Sequence, residues 1–138
     1  MRLRFAVVMA GLCAALTLSA FLAAAQVDTT PPAVAIERPR AGYLYVWDRE
    51  MLPTGGRTIV VGPVTAQVTA TDGQSGMDRV EFWIGFGCHG EQHFVDHQAP
   101  YVWTWTGHQS VGLRKLRAYA FDNAGNEDFA ELEMLKMW

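Results

Sequence analysis

Three groups of side chains in this 138-residue sequence have the types and spacing for chemistry. His89, His93 and His97 recur every four residues, with Cys88 and Asp96 beside them. Side chains alternate faces along an extended chain, so an even spacing puts the three imidazoles on one face. Imidazole and thiolate are good zinc or copper ligands, which makes the stretch a candidate transition-metal site. An extended chain advances about 3.3 Å per residue, so the ends of the 89–97 run lie roughly 26 Å apart. One ion is reached only if the chain folds back at Gly90. The plainer alternative is a set of polar residues on an exposed hairpin, with Cys88 accessible to thiol reagents.

Asp72, Asp122, Asn123 and Asn126 form the second group. Hard oxygen ligands of this kind suit calcium, although no EF-hand spacing is present. The alternative is local: Asp and Asn side chains accept hydrogen bonds from the amides of their own turns. Trp83, Tyr119 and Phe121 are the third group. Aromatic rings on the outer face of a sheet suit sugar stacking or a protein partner, unless another segment covers them. For catalysis the sequence offers little. Gly73-Gln74-Ser75-Gly76 places a serine between glycines, but it lacks the strand-to-helix context of a nucleophile elbow. No spacing joins a nucleophile, a base and an orienting group, so the expectation is a protein that is not an enzyme.

The elements that position these residues read as strands. Leu116, Ala118 and Ala120 alternate with Arg117, Tyr119 and Phe121, then stop at Asp122-Asn123-Ala124-Gly125-Asn126, which is turn chemistry. A second alternating segment over 129–136 places Ala130, Leu132 and Met134 inward, giving a hairpin. Val64, Ala66, Val68 and Ala70 alternate with Thr and Gln. Val80, Phe82 and Ile84 alternate with Arg79, Glu81 and Trp83, and Tyr101, Trp103 and Trp105 with Val102 and Thr104. Residues 33–37 form a first, edge strand that Pro39 ends. His93 to His97 is a weak strand candidate. Residues 40–63 are irregular apart from a short β-branched strand at 58–61. Tyr43, Tyr45 and Trp47 are too apolar to stay solvated, so this segment reads as a loop packed across the sandwich, over the outer aromatics. Seven to eight short strands with turns between them, and no helical period, indicate an all-β antiparallel sandwich.

Ahead of these strands, Arg2 and Arg4 precede an apolar run over 5–25, with Ala23 and Ala25 before Gln26, as in a cleavable secretory signal. An uncleaved anchor is the alternative, since about twenty apolar residues can span a bilayer. Leu12 before Cys13 does not fit a lipobox. Residues 26–32 read as a proline-stiffened linker and 33–138 as one domain with a single core. Once the leader is removed, no membrane span is expected. The chain carries 11 Lys and Arg against 14 Asp and Glu. The basic trio Arg114, Lys115 and Arg117 is offset by nearby acids, so nucleic acid is not an expected partner. Cys88 alone remains after the leader, leaving no internal disulfide and making the apolar core the source of stability.

The succession DTTPPAVAIERP, TATDGQSGMDRVEFWI, APYVWTW and GLRKLRAYAFDNAGNE resembles bacterial and archaeal immunoglobulin-like domains. Such domains recur in secreted and cell-surface proteins, and GYLYVWDREMLPTGGRTIVVG resembles an insertion found in some of them. Where that family usually has a tight Asp-Gly hairpin, this chain has the longer GFGCHGEQHFVDHQ. The resemblance implies an immunoglobulin-like sandwich in which the turns at Asp72 and Asp122 and the chain start at Asp28 share one end. It also implies a non-catalytic module, secreted or in the cell envelope, that serves adhesion or scaffolding or binds a protein or glycan. A metal- or calcium-dependent binding protein is the alternative. A family of scaffolds specifies fold more closely than ligand.

Overall fold

The computed structural model describes residues 26–86, 89–107 and 111–138, with residues 86 and 89–91 described by backbone alone. Residues 1–25, where a secretory signal is expected, and Cys88 therefore lie outside the described residues. All regular elements among the described residues are strands: β1 (Ala33–Arg38), β2 (Tyr43–Val46), β3 (Arg49–Pro53), β4 (Thr58–Val61), β5 (Val64–Thr71), β6 (Met77–Phe86), β7 (His89–Asp96), β8 (Tyr101–Trp105), β9 (Gly112–Asp122) and β10 (Glu127–Lys136). They form a three-stranded sheet in the order β1-β5-β8 and a seven-stranded sheet in the order β3-β2-β4-β10-β9-β6-β7.

The β9–β10 hairpin runs in register from Phe121 opposite Glu127 to Gly112 opposite Lys136, and β6 pairs antiparallel on the other side of β9. Alternation decides what each strand buries. Leu116, Ala118 and Ala120 are fully buried, as are Val80 and Phe82 on β6. Phe82 sits opposite Ala118, so a large side chain meets a small one and the layer fills without a void. The facing sheet repeats the device, with Trp105 opposite Val64 and Trp103 opposite Ala66. Trp105 donates its indole N–H to the Gln92 side chain. Gly107 follows at φ 51°, and a Cβ there would stand 2.6 Å from the Trp105 ring, so only glycine fits.

The strand expected at 58–61 is present as β4, whereas the rest of residues 40–63 departs from the expected loop. This segment forms β2, β3 and β4, which extend the large sheet beyond β10, and the strand count among the described residues rises to ten. Most neighbours in the sandwich are antiparallel, but β4 runs parallel to both β2 and β10. Tyr45 enters the core, where its buried hydroxyl donates to Glu50 at 2.6 Å and accepts from the Arg40 amide at 2.9 Å. The β2–β3 turn is Trp47-Asp48, with φ of 50° and 64°, a left-handed pair that is rare for Trp and more readily adopted by Asp. Long-range contacts hold it: the Asp48 carboxylate accepts from the Thr65 amide and hydroxyl, each at 2.7 Å, and Arg38 bonds the same residue. The lead-in also differs from a free linker. Pro32 and Asp28 are buried, and an Asp28 oxygen accepts from the Ser75 amide at 3.1 Å.

Candidate functional site

The outer face of the large sheet is a lattice set by strand register. Across β7, β6, β9 and β10, one row reads His93, Trp83, Arg117 and Glu131, and the next reads Val95, Glu81, Tyr119 and Phe129. Arg79, Phe121 and Glu127 follow in a third row. Directly opposed side chains interact across a ladder, and diagonal ones come within reach of long or aromatic groups. Trp83 stacks on His93 with ring centroids 4.0 Å apart, and Tyr119 lies 5.4 Å from the exposed ring of Phe129. The Arg79 guanidinium stands 3.9 Å over the Phe121 ring, a cation–π geometry.

Charge on this face is largely compensated within it. Glu81 pairs with Arg79 at 2.7 Å and approaches His93 at 3.5 Å. Lys115 bonds Glu131 at 3.1 Å and holds its carboxyl below the usual glutamate range, and Arg117 adds to this from 3.5 Å. Glu81, Trp83, Arg117, Tyr119, Phe121 and Glu127 line a shallow depression of about 310 Å³. None of its walls comes from residues 40–63, so the expected cover over Trp83, Tyr119 and Phe121 is absent. That segment had its own place at the sheet edge, beside β10. Among the described residues, nothing hydrogen-bonds the Trp83 indole N–H, the Tyr119 hydroxyl or the Glu127 carboxylate.

At one end of the sandwich, carboxylate oxygens of Asp28, Asp72 and Asp122 lie within 4.8 Å of one another, and Asp28 and Asp122 are buried. Asn126 joins them, donating to Asp122 at 2.7 Å and to the Asp28 carbonyl at 3.2 Å. These oxygens could enter a calcium shell, but they already accept hydrogen bonds. Asp122 takes the amides of Ala124 at 2.9 Å and Asn126 at 2.8 Å. Asp72 takes those of Gln74 at 3.0 Å and Gly76 at 2.8 Å. Burial opposes ionisation of Asp72, yet the amides of Gly76, Gln74 and Ser75 outweigh it and leave the carboxyl below its ordinary value. Asn123 closes the network through Ser75, donating to its carbonyl at 2.9 Å.

The histidine group does not gather among the described residues. His93 belongs to the aromatic face, whereas His97 lies beyond the end of β7, 3.4 Å from the Asp78 carbonyl. Neither joins the set of converging ligand atoms, which is the Asp28, Asp72 and Asp122 group. Cys88 and the side chain of His89 fall outside the described residues. Sequence reading missed His93, Phe129, Arg79 and Glu127 as members of the aromatic face. The signal that could have found them is register: His93 pairs with Trp83 and Phe129 with Tyr119.

The family described as bacterial Ig domain matches residues 32–118. Among solved structures, the fibronectin(III)-like modules of Clostridium thermocellum CbhA are similar, with a TM-score of 0.53 and 17% identity over 77% of this chain. An engineered protein is similar with a TM-score of 0.53 and 16% identity over 78% of this chain. The chain spans 46% and 20% of those two structures, respectively. At such identities the likeness is one of fold. Among curated proteins, none matches the chain.

Proposed function

The chain belongs to the bacterial Ig domain family, and from that premise we propose that it is a non-catalytic module of the cell surface or envelope that binds a partner through the outer face of its large sheet. The observation that carries this function is the depression lined by Trp83, Tyr119 and Phe121, left open where a covering loop was expected. Rings that are partly exposed and set on paired strands give a rigid, apolar contact surface, and few side-chain rotamers need to be fixed on binding. The immunoglobulin-like sandwich supplies the rigidity, because β6 and β9 are central strands paired on both sides. The leader over 1–25 supports export. A pelleting assay with isolated bacterial envelopes tests the proposal. Wild-type chain should sediment with the envelopes, and the double variant Trp83→Ala, Tyr119→Ala should stay in the supernatant while its thermal unfolding remains cooperative. Sedimentation of the folded double variant at the wild-type level would remove this face as the binding surface.

A further inference from the structure

We infer that the depression on β6 and β9 is a carbohydrate subsite for a neutral, polyhydroxylated sugar ring, an inference that rests on the outer face being the binding surface. Three properties of the depression point to this ligand. Its floor is aromatic, and Trp83 is backed on one side by His93 at 4.0 Å, which fixes the indole plane before any ligand arrives. A pyranose ring offers a flat patch of C–H groups that packs on such a plane, with hydroxyls projecting around its rim. Beside the rings stand polar groups with no partner among the described residues: the Trp83 indole N–H, the Tyr119 hydroxyl and the Glu127 carboxylate. They supply a donor, a group that both donates and accepts, and an acceptor. A sugar's hydroxyls can match all three. A purely apolar surface placed over them would leave them desolvated without hydrogen bonds.

Charge selects within the class of glycans. Arg117 is shared with Glu131, and Glu81 with Arg79 and His93, so neither is free to pair with a charged ligand. Glu127 is the charge left over, and it repels polyanions. At about 310 Å³ the depression lies at the small end of ligand sites, which run from about 300 to 1,000 Å³. That scale fits a short stretch of a polysaccharide or a chain end.

Affinity electrophoresis of the whole chain tests the inference, in native gels cast with a soluble neutral β-glucan, with galactomannan or with polygalacturonate. Expected is retardation by at least one neutral polymer and none by polygalacturonate. Trp83→Ala should weaken the neutral interaction about tenfold or more, as for a central aromatic anchor. Tyr119→Phe and Glu127→Gln should each weaken it about three- to tenfold, the effect of one hydrogen bond. These two variants alter only polar tips, so they keep the test valid if Trp83→Ala does not fold. In NMR spectra the Trp83 indole N–H should shift on adding the retarding polymer. Retardation that all three variants leave unchanged would overturn the subsite, as would stronger retardation by polygalacturonate. If no neutral polymer binds but Trp83→Ala still abolishes envelope sedimentation, the sugar assignment falls and the binding face stands. If Trp83→Ala and Tyr119→Ala together leave sedimentation intact, the face itself fails.

Discussion

Asp122 and Trp83 lie on neighbouring strands of the same sheet, and both have side chains suited to binding. At Asp122 the carboxylate is buried and taken up by the amides of Ala124 and Asn126 and by the Asn126 side chain. At Trp83 the ring is only half-buried and its N–H is free of partners among the described residues. Residue type alone does not separate these cases, since Asp and Asn are as good ligands as Trp and Tyr are contact surfaces. What separates them is where the polar atoms are already satisfied. The end whose polar atoms are bonded within the protein is assigned to the fold, and the face whose polar atoms lack protein partners is the one proposed for binding.

This contrast can be broken by mutation. The largest effect on stability is expected at the satisfied end. Asp122→Ala removes the buried carboxylate that the amides of Ala124 and Asn126 and the Asn126 side chain share, costing about 1–3 kcal/mol in denaturant unfolding. A loss below about 1 kcal/mol would mean that the turn holds without its carboxylate.

Much of this arrangement is legible in the sequence, and the remainder is not, for identifiable reasons. The β9–β10 hairpin announces itself because period-two alternation and a DNAGN turn agree with each other. The same alternation places Trp83, Tyr119 and Phe121 together on the outer face. The β2–β3 hairpin gives no such signal. Its turn residues are Trp47 and Asp48, whose left-handed geometry depends on contacts with Thr65 and Arg38, distant in sequence. The insertion of β4 between β2 and β10 is equally silent, because a parallel pairing leaves no local turn to read. Stacking of His93 on Trp83 depends on how the chain turns between β6 and β7, a quantity that alternation does not contain.

Lys136 is a third kind of polar group, buried yet unsatisfied. It is in phase with Met134 on the inner face of β10, fully buried, with its ammonium 5.7 Å from the Trp105 ring and without a hydrogen bond. Burial, with the Arg114 charge adding to it, holds its pKa below the usual lysine value. Lys136→Met should therefore stabilise the domain by about 1–3 kcal/mol near neutral pH. The sign of the pH dependence follows from the lowered folded-state pKa. Between that value and the unfolded value of about 10.5 the unfolded chain binds more protons, so wild-type stability rises with pH there. The advantage of Lys136→Met should be complete below the folded-state pKa and shrink above it. Denaturation midpoints measured from neutral to alkaline pH check this, and a destabilised Lys136→Met would show that the ammonium has a partner.

The smallest effect is expected from calcium at the Asp28, Asp72 and Asp122 cluster. Because these carboxylates already accept amide hydrogens, millimolar calcium should leave the thermal midpoint unchanged. A rise in the midpoint that EDTA reverses would move this end from the structural to the binding side of the contrast.

The most direct measurement pairs two variants, Trp83→Ala and Asp122→Asn, and follows thermal stability and envelope sedimentation in each. Trp83→Ala should lose sedimentation while costing about 1 kcal/mol of stability, the scale of a cross-strand aromatic pair. Asp122→Asn should lower the unfolding midpoint and, at temperatures where it remains folded, sediment like the wild type. The reverse pattern, with binding lost at Asp122 and retained at Trp83, would contradict the assignment of binding to the aromatic face.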